Sequence, residues 1–349
     1  MKNEAKYLPD HQEILISLLK ANLPSQFSLV DYVSELLNIS QDAAYRRIRG
    51  EKRFDIDELY TICSEYDISI DSIFSIKSNG SIFNYTALDL GDFAHYLSYM
   101  QKVSKSIEFV KEGKDKQIIA SAIDIPIFHF LPYKELTLFK LFAWTNSVYK
   151  YDGSFYSFMK ELEHPDLHCC YAKIAADYSQ IPSTEVWTTN TIDTIIRLLD
   201  FHFETGYFTE KDIPLLLCHQ LLQLIENLKN WVEKGYKGNN PSSTFKFYVS
   251  DTDLENNFIL LRKDNSLRCI IKLFTINSLT TTDETFCKET LNWLESSINR
   301  AVLLSGASER DRFRYFNILQ QKVRYLIDKF EKKSKLDSID TLNNTFSRR

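Results

Sequence analysis

Residues 28–53 read SLVDYVSELLNISQDAAYRRIRGEKR, and this stretch carries the clearest structural signals of the 349-residue chain. Ser28 and Ser40 each precede a short amphipathic run, which is the usual place for a residue that caps a helix N-terminus. Asn38 stands where the first helix must end with a positive φ, a conformation that asparagine tolerates. The sequence therefore predicts two helices, one reaching Leu37 and one over 41–49, which together form a helix-turn-helix.

The second predicted helix has two different sides. At 100° per residue, Ala44 and Ile48 share the side that faces the protein interior. The opposite side carries a carboxylate, a phenol and two guanidinium groups: Asp42, Tyr45, Arg46 and Arg49. A guanidinium group presents a fork of donors that fits O6 and N7 of guanine, or a phosphate. This side is therefore predicted to contact bases or phosphates of DNA.

Residues next to this side extend the predicted DNA-binding surface. Gln41, at the helix start, suits a phosphate or an adenine, while Arg47, Lys52 and Arg53 suit backbone phosphates. The plainer alternative is that 46–53 is the solvated basic face of an ordinary helical domain. The position of the run directly after a turn between two capped helices favours DNA binding.

The charge balance of residues 1–75 argues in the other direction. This segment holds eight Lys and Arg against thirteen Asp and Glu, a net charge of −5. An acidic domain binds DNA weakly without sequence recognition. The balance keeps open an alternative from another class, a protein-interaction scaffold whose helix-turn-helix no longer binds DNA.

The N-terminal segment resembles the Cro/repressor-type helix-turn-helix of bacterial and phage regulators. Two further start signals support it, a capping box at Asp55 and Glu58 and a cap at Ser69. The resemblance spans 28–74 and is carried by these segments: LLNIS at 36–40, Ala44, RGEKR at 49–53, LYTIC at 59–63 and ISIDSIF at 68–74. It implies a five-helix DNA-binding domain over 1–75, with the helix 41–49 in the major groove.

Five positions depart from the usual family pattern. Ser34, Asn38, Ala44, Ile48 and Phe54 stand where the family commonly has Ala, Gly, Ile or Val, Glu and Pro, respectively. The exchanges at the small positions are tolerable in size. Ile48, in contrast, has no polar group to make the contacts that the family makes at that point.

The remainder of the chain is predicted to be a second, larger domain. A polar linker is expected at 76–81, followed by a mostly helical domain over 82–349. Helical periodicity predicts helices over 89–112, 134–150, 166–179, 185–204, 209–234, 283–304 and 308–332. A block at 245–275 is rich in β-branched and aromatic residues and predicts a small antiparallel sheet of two or three strands. The expected fold class is therefore mainly α, with this small sheet.

The larger domain also shows a fainter likeness. The segments DIPIFHF at 124–130 and ELTLFK at 135–140 resemble parts of uncharacterised bacterial proteins that carry the same kind of N-terminal helix-turn-helix. This likeness implies the architecture of a regulator. We expect the larger domain to form a homodimer, and an interaction with a small-molecule or protein effector stays open.

Composition narrows the class of protein further. The sequence contains no run of 18 apolar residues, so a membrane span is not expected. The start of the chain does not have the pattern of a signal peptide. The six cysteines lack a regular spacing and are expected to be reduced, buried thiols. These features predict a cytoplasmic protein that contacts no membrane.

Candidate sites outside the N-terminal segment are weak. His164 and His168 are four residues apart, a spacing that allows two imidazoles on one helix face to bind a metal. Pro165, however, places His164 at or before the helix start. His129 and His202 each lie between two phenylalanines, a pattern typical of a core histidine. No nucleotide-binding or catalytic motif is present, so we expect neither an enzyme nor a cofactor.

Overall fold

The computed structural model describes residues 10–22, 28–66, 68, 70–74, 80–88, 93–149, 151–274 and 276–346. The chain divides into two compact units, Met1–Gly80 and Ser81–Arg349. Most of the predicted linker at 76–81, and the predicted cap Ser69, lie outside the described residues. We describe each unit by itself.

The described part of the smaller unit contains five helices: α1 (His11–Asn22), α2 (Leu29–Leu36), α3 (Gln41–Ile48), α4 (Ile56–Glu65) and α5 (Ile70–Phe74). The side chains of Ser28 and Ser40 accept the capping hydrogen bonds predicted for them, from the amides of Asp31 and Ala43. The predicted capping box at the start of α4 is present, and Asn38 has a φ of 50°. Local sequence therefore decides where α2, α3 and α4 begin.

Apolar side chains from all five helices meet in a single small core. Its buried members are Leu15, Leu19, Val33, Ala44, Ile62, Cys63 and Ile73. Ala44 is fully buried, and its small size lets α3 pack closely against α2. The core therefore fixes which side of α3 faces outwards.

The larger unit contradicts the prediction of a mainly α fold with a small sheet. The structure is 58% helical, but the larger unit is built on a mixed sheet of eight strands. The strands are β1 (Asn84–Tyr85), β2 (Lys116–Ala122), β3 (Ser183–Trp187), β4 (Phe245–Val249), β5 (Phe258–Lys263), β6 (Ser266–Leu273), β7 (Asn277–Thr281) and β8 (Val302–Leu303). Their order across the sheet is β1-β7-β6-β5-β2-β3-β4-β8. The fold is therefore a substantial α/β architecture.

The prediction failed at the central parallel strands. β2 pairs parallel with β3, and β3 pairs parallel with β4. All five residues of β3 are buried, so this strand shows no alternation of apolar and polar side chains. The predicted helix over 185–204 included the end of β3, because a strand covered on both faces has no period of two in its sequence.

The predicted sheet at 245–275 is correct only in part. β5 and β6 form an antiparallel hairpin, with Asp264 in its turn at a φ of 52°. β4, in contrast, lies between β3 and β8 and does not pair with β5. The helix predicted over 283–304 ends at Asn299, and β8 follows it. Strand partners distant in sequence could not be predicted from local patterns.

Helices cover both faces of the sheet. They are α6 (Phe93–Lys111), α7 (Ile127–Phe130), α8 (Lys134–Val148), α9 (Phe155–Glu161), α10 (Pro165–Ser179), α11 (Asp193–Glu204), α12 (Ile213–Lys234), α13 (Glu284–Asn299) and α14 (Glu309–Phe346). Ile118 joins the large core formed with most of these helices, whereas its neighbour Ile119 joins a smaller core beneath α13. Because successive strand side chains point to opposite faces, the two cores lie on opposite sides of the sheet.

A buried carboxylate lies at the centre of the sheet. Glu185, on β3, is 1% exposed, and both of its oxygens lie about 3 Å from Nε2 of His129 (3.1 and 3.0 Å). The Tyr178 hydroxyl and Nε1 of Trp187 also donate to it, the latter at 2.7 Å. Burial by itself would raise the pKa of Glu185, but the attraction of His129 and these donors outweighs burial and lowers the pKa.

A buried lysine contacts the same tyrosine. Lys237 is fully buried, and its Nζ lies 3.3 Å from the centre of the Tyr178 ring. The same Nζ donates to the Tyr178 carbonyl and to Oγ of Ser183, both at 2.6 Å. Burial lowers the pKa of Lys237 well below its ordinary value. Polar groups from four segments therefore meet at the centre of the larger unit.

The substitution Glu185→Gln tests this arrangement. It places an amide among three donors, so at least one buried donor loses its acceptor, which costs about 1–3 kcal/mol of unfolding free energy. We expect a loss of about 2 kcal/mol. Urea unfolding followed by tryptophan fluorescence reports on the larger unit alone, because Trp144, Trp187, Trp231 and Trp293 all lie there.

Glu295→Gln, an exposed change on α13, is the matched control and should be neutral. If both variants unfolded at the same urea concentration as the parent, Glu185 would not hold the centre of the sheet.

Candidate nucleic-acid interface

Helix α3 presents the predicted polar side chains to solvent. Tyr45 is 48% exposed, and the side chains of Arg46 and Arg49 are 56% and 59% exposed. Asp42, one turn earlier, is exposed as well. Because Ala44 is buried in the core, the helix cannot rotate without losing that packing. The structure therefore brings these four predicted site residues together on one accessible surface.

Two side-chain hydrogen bonds fix the start of α3, one within the helix itself and one to α2. Ser40 caps the helix, as described above, and Nε2 of Gln41 donates to Oδ1 of Asp31 at 2.7 Å. Gln41 stays exposed, but its amide already has a partner. Asp31 was not singled out in the sequence, because nothing local relates it to a residue ten positions later.

Arg47 does not belong to the exposed surface. Its side chain is 5% exposed and forms a two-pronged ion pair with Glu58 of α4, with Nε to Oε2 at 2.8 Å and a second contact between Nη2 and Oε1. Nη1 also donates to the Ala43 carbonyl at 3.1 Å. The hydrogen bonds to Glu58 raise the pKa of Arg47. The structure therefore places Arg47 as a clamp between α3 and α4, away from the surface predicted to contact phosphates.

Gln12 of α1 holds the segment after α3 and was missed in the sequence. It is 8% exposed, and its Nε2 donates to the carbonyls of Arg47 and Lys52 at 2.7 and 2.9 Å. Its Oε1 accepts from the amide of Phe54 at 3.2 Å. All polar atoms of one side chain thus bind backbone groups of residues 47–54. Only a fold that brings α1 to this loop reveals that role.

The turn after α3 places a carboxylate beside two arginines. Gly50 has a φ of 77°, and the amide of Glu51 donates to the Arg46 carbonyl at 2.9 Å. Oε2 of Glu51 lies 3.9 Å from Nε of Arg46, and Oε1 lies 3.6 Å from Nη1 of Arg49. The Arg49 guanidinium also lies 5.3 Å from the centre of the Tyr45 ring.

Arg53 and Lys52 end the basic run. Arg53 forms an exposed ion pair with Asp10, and this hydrogen bond lowers the pKa of the Asp10 carboxyl. Lys52 is exposed. Of the five basic residues between 46 and 53, four therefore have an acidic partner within the unit. The run that reads as strongly basic in the sequence is largely neutralised in the fold.

The weaker candidates of the larger unit have structural roles. Nδ1 of His164 caps α10 by accepting from the Asp166 amide at 3.3 Å, and Nδ1 of His202 lies 2.7 Å from the Leu198 carbonyl. Cys169 is exposed, the other five cysteines are buried, and all six are free. Within the described ranges, no three His, Cys, Asp or Glu side chains are grouped as metal ligands.

An open groove of about 720 Å³ lies between α12 and the start of α14. Arg310 and Arg312 both line it. Arg312 is 7% exposed, however, and its Nη1 donates to the carbonyls of Leu304 and Gly306 at 3.0 and 2.6 Å. Acidic and basic residues line the groove in equal number, so it offers no uniformly basic surface.

No family model, curated protein or solved structure matches the chain. A functional assignment therefore rests on the geometry of the structure. None of the described helices is long and apolar enough to cross a membrane.

The substitution Arg47→Ala tests whether the ion pair with Glu58 holds α3 against α4, without altering the exposed surface of α3. It leaves the carboxylate of Glu58, whose side chain is 14% exposed, without its partner, so we expect the smaller unit to lose about 3 kcal/mol of stability. Hydrogen exchange of amides within 28–66, measured by mass spectrometry, should speed up while exchange in the larger unit stays unchanged. The neighbouring exposed change Arg46→Ala serves as control and should leave exchange as in the parent. Equal exchange in both variants would mean that Arg47 is not a clamp.

Proposed function

We propose that the smaller unit binds double-stranded DNA with sequence specificity, with α3 in the major groove, and that the protein regulates transcription. The observation that carries this proposal is the joint exposure of Tyr45, Arg46 and Arg49 on one face of a helix that is capped, clamped and packed on its other side. A rigid support is what sequence reading requires, because hydrogen bonds to base edges depend on position.

The chemistry of the exposed face suits DNA in two ways. The guanidinium groups of Arg46 and Arg49 can each pair with O6 and N7 of a guanine, or with a phosphate. Lys52, exposed on the following turn, suits a backbone phosphate, which fixes the register of a protein on the duplex. In this role we place the protein in the cytoplasm, as expected for a regulator of the type that 28–74 resembles.

A specific observation favours the second candidate, a protein-interaction scaffold. Arg46 and Arg49 already face Glu51, and Arg53 already pairs with Asp10, so the unit has little unbalanced positive charge with which to attract DNA. The net charge of −5 over residues 1–75 acts in the same direction. Selection of bound duplexes from a random pool distinguishes the two candidates, since a scaffold enriches no motif.

We expect Arg46→Ala and Arg49→Ala to weaken binding to the selected DNA by about 10- to 100-fold each, because a base-reading arginine contributes about 1–3 kcal/mol of discrimination. The thermal midpoint should stay unchanged, because both side chains are more than half exposed. Fluorescence anisotropy with a labelled duplex measures the first effect, and a thermal melt measures the second.

Lys20→Ala is the matched control, because it removes a positive charge from α1 and leaves α3 intact. If all three variants bound the selected DNA like the parent, α3 would not be the reading element.

We further propose that the protein binds DNA as a homodimer through its larger unit, since a single small unit with few phosphate contacts holds DNA weakly. Two-fold symmetry then requires inverted half-sites about 34–36 Å apart, one turn of DNA, or a multiple of that spacing. Sequencing of the selected DNA should show this inverted repeat, and light scattering should give twice the chain mass of 40.9 kDa. Single, unrepeated sites or a monomeric mass would contradict the dimer.

A further inference from the structure

Glu51 is held in front of Arg46 and Arg49 by the backbone of the turn. Gly50 supplies the positive φ that reverses the chain, and the amides of Glu51 and Lys52 both donate to the Arg46 carbonyl, at 2.9 and 3.2 Å. A residue with a side chain at position 50 would be strained at this φ. The backbone position of Glu51 therefore follows from the fold, and it keeps the carboxylate within reach of both arginines.

The two oxygens of this carboxylate face two different arginines. Oε2 faces Arg46 and Oε1 faces Arg49, at 3.9 and 3.6 Å, so one anion bridges both guanidinium groups. A DNA phosphate offers the same chemistry, a negative charge shared between oxygens. About half of the Glu51 side chain (49%) is exposed, so it can be displaced without opening the core.

We propose that Glu51 is an intramolecular competitor for the arginines of α3, and that DNA must displace its carboxylate in order to bind. This inference rests on the proposed function. Exposed ion pairs of this kind are weak, because water screens the charges and two long side chains must be ordered to form them. Two of them are weak enough to be exchanged for DNA, yet together they lower the affinity for every duplex.

The Glu51 carboxylate also lowers the net positive charge that α3 and its following turn bring to the DNA. With Glu51 present, the two arginines and the carboxylate bring a net charge of +1 to the DNA, whereas without it they bring +2. Because each neutralised phosphate releases counterions, the logarithm of the binding constant falls by about 0.9 per contact for each tenfold rise in salt. Loss of the carboxylate should therefore steepen the salt dependence by about one unit.

The test compares Glu51→Gln with the parent, both as full chains, on the DNA selected by the parent and on a duplex of scrambled sequence. We expect Glu51→Gln to bind both duplexes about 2- to 30-fold more tightly, the range given by the loss of two weak ion pairs. The salt slope should rise in magnitude by about one. Glu65→Gln removes an exposed carboxylate at the end of α4 and is the matched control, expected to behave like the parent.

A second comparison isolates the arginines. In a background that carries Arg46→Ala and Arg49→Ala, Glu51→Gln should raise affinity for the scrambled duplex by less than twofold, because the competitor has lost what it competes for. An equally large gain in that background would show general repulsion from DNA and would overturn the inference.

The remaining outcomes separate the two proposals. If the parent binds its selected DNA and Glu51→Gln binds it no more tightly than Glu65→Gln, the competitor is overturned and the proposed function stands. A weaker Glu51→Gln would also overturn it, by showing that the carboxylate supports binding. If neither the parent nor Glu51→Gln enriches or binds any duplex, the proposed function itself fails.

Discussion

The larger unit depends on the burial of one carboxylate. Glu185 sits in the middle of a sheet where water does not reach it, and a charge there is tolerated only when donors surround it. Those donors come from α7, α10 and β3 itself, through His129, Tyr178 and Trp187. Three elements must therefore be in place together, and a slip of β3 by one residue would turn the carboxylate to the other face. Apolar packing alone would not impose such a condition.

The smaller unit uses the same kind of interaction for a different purpose. The pair of Arg47 and Glu58 is buried and fixes α3 against α4, while Arg46 and Arg49, its neighbours in sequence, stay exposed. Glu58 also completes the capping box of α4, since its Oε2 accepts from the Asp55 amide at 3.2 Å. One acidic side chain thus helps to start α4 and holds the preceding helix, α3, in place. Arginines that are neighbours in sequence therefore differ in environment: Arg47 is buried, whereas Arg46 and Arg49 are exposed to solvent.

Local signals could be predicted from sequence, whereas partners distant in the chain could not. Ser28, Ser40, Asn38 and the capping box at Asp55 were predictable because a cap or a positive φ involves residues no more than a few positions apart. The central strands were not, because β3 is buried on both faces and lacks the alternation that marks a strand. The same limit applies to the candidate site: the period of α3 predicted the exposure of Tyr45, Arg46 and Arg49, but the partner of Arg47 lies eleven residues further on.

The ends of the sheet restrict how copies of this chain can associate. Its outermost strands, β1 and β8, are each only two residues long, so neither edge offers a row of free backbone donors and acceptors. A second chain cannot extend the sheet by adding a strand of useful length, and growth into fibrils through these edges is disfavoured. In the described part of the larger unit, self-association is therefore expected to use helix surfaces and side chains and not a continued sheet.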